Sequence, residues 1–178
     1  MGVDAETLSS ELCDLSSLRE AESKLLLGTY DRYPLLFVRG EDVHLIDDHG
    51  VRYLDLLSGI GVNALGYAHP AIEKAIAVQS RKLIHTSNLY YTEGQAALAL
   101  RLTEATGMDR AFFSNSGTEA NEAALKLARA YAGLKRSEGI PLGTKFLAIE
   151  NSFHGRTMGS VAATWKEKYR EPFDPVMP

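Results

Sequence analysis

Two short segments hold residue types and spacings that can do chemistry. The first is Phe112-Phe113-Ser114-Asn115-Ser116-Gly117-Thr118-Glu119-Ala120-Asn121-Glu122. Ser116 and Glu119 have the spacing of a capping box, with Ser116 as N-cap, so a helix starts there. The first amides of a helix have no partner within it, and the aligned peptide dipoles place roughly half a positive charge at that end. Gly117 leaves the turn without a Cβ, so those amides can approach an anion closely. The hydroxyls of Ser116 and Thr118 can add further bonds. The combination reads as a phosphate cup. The same pattern also serves as a plain helix cap. A P-loop is excluded because no Gly-Lys-Ser/Thr follows at the required spacing, and a dinucleotide fingerprint needs three glycines.

The second segment is Phe153-His154-Gly155-Arg156-Thr157. An aromatic ring can stack on a planar ligand, and the planar fork of Arg156 suits a carboxylate. The competing reading makes Phe153 a core residue and Arg156 a surface ion-pair partner.

The elements that must position these segments follow from periodicity and punctuation. Residues 1–17 are polar and Ser-rich, and are expected to fray. Leu18 to Leu27 suits a helix stopped by Gly28. Leu35 to Arg39, Val43 to Asp47 and Arg52 to Leu56 read as three short strands of a meander. His69-Pro70 opens a helix to about Leu83, and a second covers Gln95 to Ala105, ended by Gly107. Ala111 to Phe113 reads as a buried strand feeding the Ser116 turn and a long helix to about Ala132. Lys145 to Ile149 is a further buried strand leading to Phe153. Alternation of this kind predicts an α/β fold with a mostly parallel, three-layer sheet. Ligands of such sheets bind at the carboxyl ends of strands, where both segments fall. The end of the chain, with Pro172, Pro175 and Pro178, leaves that sheet short of most of its members, so the sequence reads as truncated.

Composition narrows the partners. With 45% hydrophobic and 24% charged residues, the 178-residue chain has the balance of a soluble globular protein. Its 19 basic and 23 acidic residues give a net charge of -4, which argues against a nucleic-acid surface. Cys13 is the single cysteine, which excludes an internal disulfide or a cysteine-rich metal site and fits a cytoplasmic setting. His44, His49, His69, His85 and His154 lack metal-like spacing, so no metal is expected. No secretory leader is visible, and no stretch reaches the roughly 18–20 apolar residues that span a bilayer.

From about Leu18 onward the chain resembles the class III aminotransferases of the type I pyridoxal-phosphate (PLP) fold, and within them the acetylornithine branch. The likeness runs through Gly28-Thr29-Tyr30, Tyr33-Pro34, Tyr53-Leu54-Asp55 and Ser58-Gly59-Ile60-Gly61-Val62-Asn63-Ala64-Leu65-Gly66. It continues through His69-Pro70 and His85-Thr86-Ser87-Asn88-Leu89-Tyr90 to the two segments above. Several ordered motifs in one chain are far more specific than any one of them.

The resemblance implies an N-terminal part of that fold, with residues 1–66 in the small domain and 67–178 opening the large PLP-binding domain. It implies that Ser116, Gly117 and Thr118 hold the PLP phosphate, that Phe153 stacks on the pyridine ring, and that Arg156 holds the substrate α-carboxylate. Tyr30 falls where relatives place a substrate-contacting aromatic. Ile60 stands where ornithine-specific relatives carry tyrosine, which favours an N-acetylated substrate. Tyr67 departs from the histidine common in that stretch, a change expected to affect packing more than chemistry. Asn121 and Glu122 are expected to organise local hydrogen bonds, Lys126 to be solvated, and Tyr90-Tyr91 to serve the site wall, a dimer contact or the core. The implied reaction moves the ω-amino group of N-acetylornithine to 2-oxoglutarate in arginine biosynthesis, by a homodimer. Ornithine, succinylornithine, 4-aminobutyrate and lysine ω-aminotransferases, and the aminomutase branch, are the alternatives. No lysine here matches the context of the family's Schiff-base lysine, so no catalytic lysine is assigned. A chain limited to these residues is expected to be inactive, or a non-catalytic fragment.

Overall fold

The computed structural model describes residues 14–174, so Cys13, most of the segment expected to fray, Pro175 and Pro178 lie outside the described residues. The chain divides into two compact units, Met1–Tyr90 and Tyr91–Pro178.

The first unit begins with α1, Leu15–Leu25. It starts earlier than the periodicity suggests because Asp14 caps it: the Asp14 carboxylate accepts from the Ser17 amide at 2.8 Å. The Ser17 hydroxyl also completes a capping box with the Asp14 backbone. It ends at Leu26, ahead of Gly28. The expected meander forms as β1 (Phe37–Glu41), β2 (His44–Asp47) and β3 (Arg52–Leu54), paired antiparallel in the order β1-β2-β3. Ile46 and Asp47 are buried at its centre. Asp47 accepts from the amides of His49 at 3.0 Å and Val51 at 2.8 Å and from the Tyr53 hydroxyl at 3.0 Å. Burial pushes this carboxyl up, but the bonds from Val51, Tyr53 and His49 outweigh it and hold the group below its usual range. Tyr67, the departure from histidine, donates to Asp55 at 2.6 Å, and its backbone bridges Asp42. Helix α2, Pro70–Lys82, starts on His69, whose ring accepts from the Ala71 amide at 3.2 Å, with Pro70 preset for the first turn.

The second unit carries α3 (Glu93–Thr106, ended by Gly107), α4 (Gly117–Ser137), α5 (Met158–Ala163) and two short 3-10 turns, Glu167–Tyr169 and Glu171–Phe173. Helix α4 runs about a turn past Ala132, the end expected from sequence. Its core is small and sits where α5 meets α4: Val161, Ser160 and Thr164 are all but inaccessible.

Two expected strands do not form. Ala111–Phe113 and Lys145–Ile149 pair with no strand among the described residues, whose single sheet is the meander. A parallel strand exists only through a neighbour that takes up its amides and carbonyls. Neither segment has one here, and Phe112, Leu147 and Ile149 stand exposed, Leu147 by 99%.

Candidate active site

The site in the second unit is built on the first turns of α4. Ser116 is the N-cap, as its spacing predicts: its hydroxyl accepts from the Glu119 amide at 3.3 Å and donates to the Glu119 carboxylate at 2.9 Å. Asn115 donates to the other Glu119 oxygen at 3.3 Å. The Ser116 hydroxyl, then Asn115, hold Glu119 below the ordinary glutamate range. A Cβ at Gly117 would meet nothing within 4 Å, so the helix start is open to close approach. A phosphate ester fits such an opening, since the first-turn amides supply donors and the dipole supplies sign.

Residues 153–164 fold against these same turns. The Thr118 and Thr157 hydroxyls lie 2.8 Å apart, and the Thr157 amide approaches Thr118 Oγ1 at 3.4 Å. The Thr118 side chain, expected to open into the cup, therefore turns to the 153–164 segment. Asn121 donates to the His154 carbonyl at 2.6 Å. Glu122 Oε1 accepts from the Thr157 hydroxyl at 2.5 Å and the Ser160 amide at 3.0 Å. The Thr157 bond is the main reason this carboxyl lies below its usual range; partial burial opposes it, while Ser160, Gly159 and the charge of Lys126 assist. Asn121 and Glu122 thus organise the local network, and Lys126 is exposed. Ser160 returns a bond to the Thr118 carbonyl at 3.1 Å. Thr164 closes the loop from within, accepting from the His154 amide at 3.0 Å and lying 3.3 Å from the Gly155 carbonyl.

Phe153 and Arg156 emerge from this fastened loop. Phe153 is 62% exposed, so it is not a core residue. Its ring meets Tyr169 edge-on at 6.2 Å, and the Arg156 guanidinium lies 5.1 Å above that same tyrosine ring. Tyr30 belongs to the first unit, exposed, in a cleft with Leu26, Gly28, Arg32 and Tyr33. Tyr90 and Tyr91 are exposed and do not pack a core. Among the described residues no group of histidine, cysteine and carboxylate side chains is placed to hold a metal, and no helix is long and apolar enough to cross a membrane.

Sequence reasoning gave Thr157, the last residue of the second segment, no role, and did not single out Ser160, Thr164 or Tyr169. The run Thr157-Met158-Gly159-Ser160-Val161-Ala162-Ala163-Thr164, nearly all small residues, was the available signal for a helix that packs closely.

The family model for Aminotransferase class-III matches residues 28–178. The chain belongs to the class III aminotransferases. It is 49% identical over 162 residues to the acetylornithine aminotransferase of Methanopyrus kandleri, covering 90% of this chain and 39% of that protein. To the mitochondrial acetylornithine aminotransferase of Alnus glutinosa it is 50% identical over 159 residues, covering 89% of this chain and 35% of that one. The ornithine aminotransferase of Toxoplasma gondii shares its fold at a TM-score of 0.86 with 23% identity, over 100% of this chain and 42% of that chain. The chain therefore spans 35–39% of the length of these curated relatives. Its fold is the N-terminal part of the α/β type I aminotransferase fold.

Proposed function

We propose that the protein carrying this chain uses PLP to move the ω-amino group of N-acetylornithine to 2-oxoglutarate, a step of arginine biosynthesis. The observation that carries this reading is the join between Thr118 and Thr157, which fastens the open start of α4 to the loop bearing Phe153 and Arg156. One anion site, one exposed ring and one guanidinium then belong to a single built region, as a phosphorylated aromatic cofactor and a carboxylate substrate require. The names of the relatives supply the substrate class.

In this reading the Gly117 and Thr118 amides, with Ser116 beside them, hold the phosphate. Phe153 lies against the pyridine ring and Arg156 grips the α-carboxylate of N-acetylornithine or glutamate through its two-pronged donor face. Tyr30 borders the substrate. Bound PLP supplies an electron sink for the amino transfer. The chain's own residues bind, orient and neutralise charge, and we assign none of them as the lysine that bonds the cofactor. Residues 1–66 belong to the small domain and 67–178 open the large one, in a cytoplasmic homodimer. Ile60 in place of tyrosine favours the N-acetylated substrate over ornithine.

The test is glutamate formation from 2-oxoglutarate by the protein that carries this chain. N-acetylornithine should give the highest kcat/KM among N-acetylornithine, ornithine, succinylornithine, 4-aminobutyrate and lysine. Preference for any other of these amines reassigns the substrate; no transfer with any of them sinks the reading.

A further inference from the structure

Glu122 stands on α4 and fastens it to the 153–164 segment. One of its two oxygens, Oε1, takes both the Thr157 hydroxyl and the Ser160 amide, one on each side of the start of α5. An ionised carboxylate only accepts, and each hydroxyl has one hydrogen. Thr157 spends its hydrogen on Glu122, so in the 2.8 Å contact between the hydroxyls Thr118 is the donor. The order of protons therefore runs from Thr118 through Thr157 to Glu122, and the carboxylate fixes the orientation of the Thr118 side chain two links away. Space enforces the same arrangement. A Cβ at Gly159 would meet the Glu122 carboxylate, which would have to leave its present place to make room. At Gly155, φ is 127° and a Cβ would overlap Thr118.

We propose that Glu122 is a positioning residue, which sets where the Phe153–Arg156 loop stands relative to the start of α4 by holding Thr157 and Ser160. The proposal rests on the PLP reading of those two elements. It assigns Glu122 no contact with cofactor or substrate.

The experiment compares Glu122→Ala, which removes the acceptor, with Glu122→Gln, which keeps one oxygen for both donors, in the protein that carries this chain. Fluorescence titration of the cofactor-free protein with PLP should give a Kd raised on the order of tenfold for Ala and within about threefold of wild type for Gln. KM for the amino substrate should follow the same pattern, with kcat less affected. Thr157→Val, which deletes the shared hydroxyl while keeping the side-chain shape, should move Kd in the same direction. Without cofactor, hydrogen exchange at the Ser160 amide should quicken in Glu122→Ala and not in Glu122→Gln. The proposal is overturned if Glu122→Ala lowers Tm but leaves Kd and KM unchanged, or if Gln loses as much as Ala. Wild-type protein that takes up no PLP marks failure of the cofactor reading instead, and the wild-type titration separates the two.

Discussion

The meander and the α4–α5 contact both rest on a carboxylate that gathers donors, but they gather them over different spans of chain. Asp47 collects His49, Val51 and Tyr53, none more than six residues away. Glu122 collects Thr157 and Ser160, 35 and 38 residues away. The meander closes on itself because antiparallel strands need only short turns between them. The α4–α5 contact must first bring distant chain together, at an entropic cost that short loops avoid. Structure built from near neighbours can be read in the sequence one residue at a time, whereas the contact that organises the site exists only between segments.

The long-range contact is most vulnerable at Gly155. Gly155→Ala puts a side chain at a positive φ and into Thr118, and should destabilise the second unit by about 3 kcal/mol, read by urea denaturation. An unchanged midpoint would mean that the loop and α4 are not held together as described. Arg156→Ala should raise KM for both amino-acid substrates about tenfold or more by removing the carboxylate clamp. Unaltered KM values take Arg156 out of the site.

The local side is sharpened by Asp47→Ala, which leaves the His49 and Val51 amides without their acceptor. Tm should fall by about 5 °C, and hydrogen exchange should quicken across residues 44–54. Exchange confined to the mutated turn would show that Asp47 does not organise the meander. Ser116→Ala removes the N-cap of α4 and should cost about 1 kcal/mol in chemical denaturation. No loss would leave the Glu119 contacts as the true cap.

The smallest effect is that of acid. Glu122, held low chiefly by Thr157, contributes stability that is present above the ordinary glutamate pKa of about 4.3 and is lost as pH falls through its lowered folded value. Carbon NMR of the Glu122 carboxyl should give a midpoint below that ordinary value, with Ser160 exchange rising over the same window. A midpoint at or above it removes the Thr157 bond as a feature of the solution state.

Much of the local structure was legible in the order of residues. Ser116, with Glu119 three residues on, marks a helix start. His69-Pro70 marks another, and three short strand-like runs mark the meander, although Gly40 and Glu41 extend β1 and the first turn falls at Asp42-Val43. The start of α1 was misplaced because Asp14 and Ser17 form a box that the apolar pattern does not contain. Ala111–Phe113 and Lys145–Ile149 have strand composition, but composition cannot provide a neighbouring strand.

By itself the sequence determined the two chemical segments, the cap that opens α4, the meander and the family, because each is written in residue types at short spacing. Only the tertiary structure decided that Thr118 faces Thr157, that Glu122 ties α4 to α5, and that Tyr169 lies under Arg156 and beside Phe153. Those pairings depend on where a hydroxyl or a ring comes to rest after distant segments meet. A hydrogen bond is limited to about 3 Å, and that reach is a property of the folded chain, not of its residue order.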